Sequence, residues 1–191
     1  MLEQGSQFNP EKEERLSNED EIMRILAVGT EEERKELQDY RNVPEEQMRF
    51  FITNAELRHT TIAEMRVAQE AREWDNPEKT SEEEEMGVYW EEIEPHVRDA
   101  VKTLRDKGYD THGSGFWGPT GGQRIYFHGE PLSGFEFPED FVAELKEEGI
   151  ELVREGDAVS FTPSRAMTLK ELEDVWNRIV DYMPVVGSQK K

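Results

Sequence analysis

The feature that most narrows what this chain can fold into is a glycine- and aromatic-rich stretch, residues 109–129, set in a sequence otherwise dominated by charge. Two runs of β-forming residues, 109–117 and 123–128, flank Gly118-Pro119-Thr120-Gly121-Gly122. Proline there fixes φ and glycine supplies positive φ, so the stretch predicts a β-hairpin with a five-residue connection. Symmetric closure places Gly113 opposite Phe127, Gly115 opposite Ile125 and Trp117 opposite Gln123, with large side chains lying over residues that lack a Cβ. The other face then carries His112 opposite His128, Ser114 opposite Tyr126, and Phe116 opposite Arg124. Those six residues form the candidate ligand-binding set, because imidazole, hydroxyl, phenol and guanidinium groups converge there.

The chemistry that the hairpin can carry is bounded by what surrounds it. Opposed histidines bring Cβ atoms to within about 5.5 Å, but two ligands do not make a metal site. Gly113-Ser114-Gly115-Phe116-Trp117-Gly118 has the spacing of a dinucleotide-binding loop, yet Pro119-Thr120-Gly121-Gly122 opens no helix and a strand follows. Pro119 also stands where a phosphate-binding loop needs lysine. No catalytic residue, metal or cofactor is therefore assigned. His59 and His96 have no second ligand at a useful spacing and read as ordinary histidines.

Charge sets the partner classes. The chain of 191 residues has a net charge of −21 and no cysteine. Residues 1–94 hold 27 acidic and 11 basic side chains, and residues 95–191 hold 17 and 12. Such a surface repels phosphate backbones, which argues against nucleic acid; it suits docking to a basic partner or mimicry of nucleic acid, or simply a solvated helical surface. Without cysteine there is no disulfide framework or thiolate chemistry. No run approaches a membrane span and the N-terminus lacks a signal pattern, so a cytoplasmic protein with no membrane association is expected.

In chain order, residues 1–16 lack apolar periodicity and predict a disordered tail. Residues 17–74 predict about four short acidic helices, at 17–29, 30–41, 44–58 and 61–74, opened by Ser17, a Thr30–Glu33 capping box and Pro44. Residues 75–85 form a polar linker, with Thr80–Glu83 as a further box. Next comes an α+β domain at 86–184, then a frayed tail at 185–191. Within the domain a helix ends near Glu94 and another starts with Pro95 at its first position. An echo then relates residues 100–109 to 141–150, with Leu104 over Leu145 and Gly108 over Gly149. Each copy is a helix, a stopping glycine and a hairpin. The last helix opens at a Thr168–Glu171 box and carries Leu172, Val175, Trp176, Ile179 and Met183 as one stripe. The fold class is α+β: a four-stranded antiparallel sheet of two hairpins with helices mainly on one face, preceded by an acidic helical region.

The order of helices and hairpins in residues 95–184, with the acidic balance, loosely resembles the type III secretion chaperones. That resemblance implies an acidic α+β dimer that binds other proteins, so a homodimer enters as a candidate assembly. The chain departs from the pattern in its long helical N-terminal half and in having two strands where the family has three. The functional expectation is a non-enzymatic cytoplasmic adaptor engaging a protein partner. The alternative is a small-molecule binder or enzyme using the polar face of the 109–129 hairpin; a concave site around His112, Arg124, Tyr126 and His128 would favour the alternative, and an exposed patch would favour the adaptor.

Overall fold

The computed structural model describes residues 10–75, 77–118 and 121–187. In chain order the elements are α1 (Pro10–Ser17), α2 (Glu19–Val28), α3 (Glu31–Arg41), α4 (Glu45–Asp75), α5 (Ser81–Met86), a 3-10 turn (Trp90–Glu92) and α6 (Pro95–Asp106). Then follow β1 (Thr111–Trp117), β2 (Gly122–Phe127), α7 (Glu139–Glu147), β3 (Ile150–Arg154), β4 (Ala158–Pro163) and α8 (Leu169–Tyr182). The strands form one antiparallel sheet in the order β1-β2-β4-β3, so the two hairpins meet through β2 and β4. The fold class is the predicted one.

Capping chemistry explains most helix starts. Thr30, Thr80 and Thr168 each accept an N–H from the residue three positions on, while the glutamate there reaches back to the threonine's own N–H. Pro95 opens α6 at its first position, as predicted. The two echoed units close alike: Gly108 and Gly149 follow α6 and α7 with φ of 87° and 78°, a left-handed backbone that glycine adopts without a Cβ clash.

Six expectations about organisation change. Residues 1–9 lie outside the described residues, but 10–16 are not tail: they form α1, whose Leu16 is fully buried beside Ile25, Leu26 and Leu37. Asn18, not Ser17, caps α2 through its side chain. The two helices expected at 44–58 and 61–74 are one continuous α4, because residues 45–75 contain neither proline nor glycine. Thr61 donates its hydroxyl to the Leu57 carbonyl within that helix (2.9 Å). The expected linker holds α5, and the helix expected to run on to Glu94 ends at Met86, stopped by Gly87 with φ 76°. At the C-terminus, Val186 donates its N–H to Lys107 O (2.8 Å) and Tyr109 donates its hydroxyl to Pro184 O (2.8 Å), so the described part of the expected frayed tail is held. The Lys107 ammonium meanwhile donates to the Met183 carbonyl (2.8 Å) and to other carbonyls at the end of α8, where the helix dipole favours a cation.

Two clusters of buried apolar residues result. The larger packs α6, α7 and α8 on the sheet face formed by Ile125, Phe127, Val159 and Phe161, with Trp176 edge-on to Phe161 at 4.9 Å. The smaller joins α1 to α4 through Leu16, Ile25, Leu26, Leu37, Met48 and Ala55. Between them α4 crosses the seam: Leu57 packs on the larger cluster, and Arg72 forms ion pairs with Glu83 (3.0 Å) and Glu91.

Candidate functional site

The hairpin closes one residue away from the expected register. Gly122 joins β2 opposite Trp117, which leaves a four-residue connection, and the register runs Phe116 to Gln123, Gly115 to Arg124, Ser114 to Ile125 and Gly113 to Tyr126. Pro119 and Thr120 of that connection lie outside the described residues. Asn54 of α4 packs so closely on Gly121 that a Cβ there would lie 2.6 Å from the amide, so the helical region shapes the turn. With the register moved by one residue, the faces regroup. Ser114 and Phe116 turn toward the helices beside Ile125 and Gln123, and Trp117 moves to the outer face with Arg124 and Tyr126.

A bulge between Thr111 and Gly113 then compensates at the other end of β1. It leaves His112 out of the ladder and on the side of Tyr126 and His128, with ring centroids 5.7 Å and 4.5 Å away. The expected meeting of His112 and His128 therefore occurs by a different route from the one predicted. Of the six candidates, the structure brings together His112, Arg124, Tyr126 and His128, and it separates Ser114 and Phe116 from them.

Those four residues and Trp117 make a continuous row along the outer face. The Arg124 guanidinium lies 5.1 Å from the Trp117 ring centre and 4.5 Å from that of Tyr126, and it is held by an ion pair with Glu155 from the β3–β4 turn. Ala158 and Ser160, the cross-strand partners of Tyr126 and Arg124, are small and leave room for the row. Trp117 is 49% exposed, Val153 on the same face is 43% exposed, and His112 and His128 are exposed.

On the opposite side, Phe116 belongs to a polar cluster at the seam. Its N–H donates to the Glu94 carboxylate (2.8 Å), and its ring lies 4.6 Å from that of His96. The His96 side chain is completely buried; its Nε2–H donates to Gln123 Oε1 (2.6 Å) and stands 3.6 Å from Glu94. Glu94 lies over Gly115, whose φ of 119° and missing Cβ make the space. A side chain at Gly115 would thus meet a carboxylate, where the sequence predicted Ile125. Burial pushes the Glu94 carboxyl up to about 7, against the Phe116 hydrogen bond and the distant pull of Arg58; burial likewise lowers His96. Glu83, also buried, behaves oppositely. Desolvation alone would raise its pKa, but N–H donors from Thr80 and Trp90 and the nearby Arg72 hold it at about 2. Nothing in the spacing of Glu94, His96 and Gln123 signalled this cluster, since a residue 27 positions away completes it.

A cavity of about 280 Å³ opens beside His112, but it runs toward Met86, Ile93 and Val101 and is not lined by Arg124, Tyr126 or His128. Among the described residues, no group of three or more His, Cys, Asp or Glu side chains could hold a metal ion, and no helix is long and apolar enough to cross a membrane. Comparison with protein-family models, with curated proteins and with solved structures returned no match.

Proposed function

We propose that this chain is a non-enzymatic cytoplasmic adaptor that docks a protein partner on the outer face of its sheet. The observation that carries the reading is the exposed row Trp117, Arg124, Tyr126, His112 and His128. Aromatic and arginine side chains of this kind dominate binding energy at protein interfaces, because the rings bury large areas while ordering few rotors and arginine adds a planar set of hydrogen-bond donors. The ion pair with Glu155 holds Arg124 in place before any partner arrives. The four sequence candidates lie on an open face instead of around a cavity, which favours docking over turnover of a small molecule.

Photo-crosslinking residues placed one at a time at Trp117, Val153 and Val142 test this in the source cell. Val142 is 36% exposed on α7 and serves as the control. The same polypeptide adduct is expected from the first two positions and none from the third, with loss of the adduct in Tyr126→Ala. Identical adducts from all three positions, or none from Trp117 and Val153, would sink the reading.

A further inference from the structure

A groove of about 610 Å³ runs between α2, α4 and the tip of the β1–β2 hairpin. Its floor is apolar: Met23 and Ala27 come from α2, Ile62 and Ala63 from α4, and Phe116 from β1. Two of these are alanines, which let another helix approach closely. On α4 the lining extends from Ala55 to Arg66, about 16 Å at the rise of a helix, which is the length of roughly three helical turns. At the rim Val28 is 54% exposed, and Trp117 leads from the groove to the outer sheet face.

The charge of the α4 wall is the second, independent observation. Among the described residues, Arg58 and Arg66 are the arginines that form no hydrogen bond, ion pair or ring contact; only the distant pull of Arg58 on Glu94 is recorded. Every other arginine donates to a carboxylate or a backbone carbonyl. In a chain of net charge −21, both unpaired guanidiniums line one groove, with His59 between them. Arg24 on the facing wall is already committed to Glu21 and Glu33. The opposing carboxylates that line the groove are Glu19 and Asp20, both in the first turn of α2.

We infer that this groove seats an acidic amphipathic helix of a partner protein, apolar face down on Ile62 and Phe116, with carboxylates paired to Arg58 and Arg66. The inference rests on the adaptor reading in taking the partner to be a protein, but it assigns a second surface and fixes the partner's chemistry. Residues 58 and 66 are about 12 Å apart along α4, so the matching carboxylates stand about two turns apart on the incoming helix. Arginine suits this role because its planar fork binds a carboxylate through two parallel hydrogen bonds. Helix-in-groove docking draws its affinity from the apolar anchors and its direction and selectivity from such flanking charges.

The probe is a fluorescein-labelled synthetic peptide of about 14 residues, long enough to span the groove. Leucines form one face and glutamates flank it, and a twin peptide carries lysine at the glutamate positions. Fluorescence anisotropy with the full chain is expected to give at least about tenfold tighter binding of the glutamate peptide, a difference of about 1.4 kcal/mol. Arg66→Glu should abolish that preference and transfer it to the lysine peptide. Ala63→Trp, which fills the groove while keeping both arginines in the sequence, should weaken both peptides, and Tyr126→Ala should change nothing.

Equal affinity for the two peptides, binding of neither, or indifference to Arg66→Glu and Ala63→Trp would overturn the inference. Loss of binding only in Tyr126→Ala would move the peptide to the sheet face, overturning the groove while leaving the adaptor reading in place. Peptide binding with no photo-adduct at Val153 would do the reverse. If the chain alone sediments as a dimer that Ala63→Trp converts to monomer, the groove belongs to a second copy and the inference fails.

Discussion

The helical region and the α+β sandwich are built from the same grammar of caps and stripes, yet they bury different things. The sandwich encloses Phe127, Phe141, Phe161 and Trp176 along with its aliphatic residues, whereas the buried set of the helical cluster is Leu16, Ile25, Leu26, Leu37, Met48 and Ala55, with no aromatic. Each aromatic removes far more area from water than an alanine or leucine, so the sandwich holds most of the stabilisation. What the helical region lacks in apolar burial it offsets with polar ties, Arg72 to Glu83 at the seam and Arg34 to Glu56 between α3 and α4. Exposed pairs of the second kind contribute little, while the buried one couples the two regions. The difference teaches that the sandwich sets the global stability and the seam decides whether the helices follow it.

Trp176→Ala probes the first half of that statement and should have the largest effect. A fully buried indole deleted between α8 and β4 costs about 3–5 kcal/mol, and chemical denaturation should show both regions melting earlier. If only the sandwich signal moves, the two regions unfold independently and the comparison breaks.

Glu83→Ala tests the seam. It strands the Trp90 N–H and leaves Arg72 with Glu91 alone, a loss of about 2 kcal/mol that should appear chiefly as faster proteolysis within residues 77–85. Unchanged cleavage there would mean that α5 does not tie the regions together.

The two seam carboxylates also predict opposite pH behaviour. Glu94 has a folded pKa of about 7, above the usual 4.5, so its neutral form favours the folded state; that contribution is complete below about 4.5 and is lost as pH rises through 7. Glu83, lowered to about 2, contributes above 4.5 and loses its contribution as pH falls toward 2. Glu94→Gln keeps an acceptor for the Phe116 N–H without the ionisation. Its unfolding free energy from urea denaturation should match wild type at pH 4.5 and exceed it by about 2 kcal/mol at pH 8. Equal midpoints at both pH values would remove the buried carboxyl from the account.

The smallest effect sharpens the comparison most. Thr30→Ala and Thr168→Ala delete chemically identical capping boxes, each worth about 1 kcal/mol, one on α3 and one on α8. By hydrogen exchange the first should raise opening only in α2 and α3, and the second should lower protection throughout the sandwich. Matching exchange patterns would show a single cooperative unit.

Local chemistry made much of this legible beforehand. The capping boxes at Thr30, Thr80 and Thr168, the start at Pro95, the stops at Gly108 and Gly149 and the α8 stripe all depend on neighbours within a few positions, so the sequence states them directly. From these the α+β class and the two hairpins follow. The break expected between residues 58 and 61 is absent because no proline or glycine interrupts the stretch, and Thr61 donates to the carbonyl four residues back. The order inside α1 and α5 was missed because Leu16 and Glu83 are buried by partners distant in sequence.

For the candidate site, residue composition identified where His112, Arg124, Tyr126 and His128 gather, but not which residues share their face. That depended on one residue of register. Asn54 against Gly121, Glu94 against Gly115 and a bulge at His112 set it, and none of these contacts is local. The same holds for the groove beside Arg58 and Arg66: each arginine is visible in the sequence, but whether it is paired depends on which carboxylates the fold brings within reach. Sequence determined the elements, because caps, breakers and periodicity act over one or two turns. Tertiary structure alone decided the register, the pairing of charges and the exposure of Trp117, because these depend on contacts between side chains tens of residues apart.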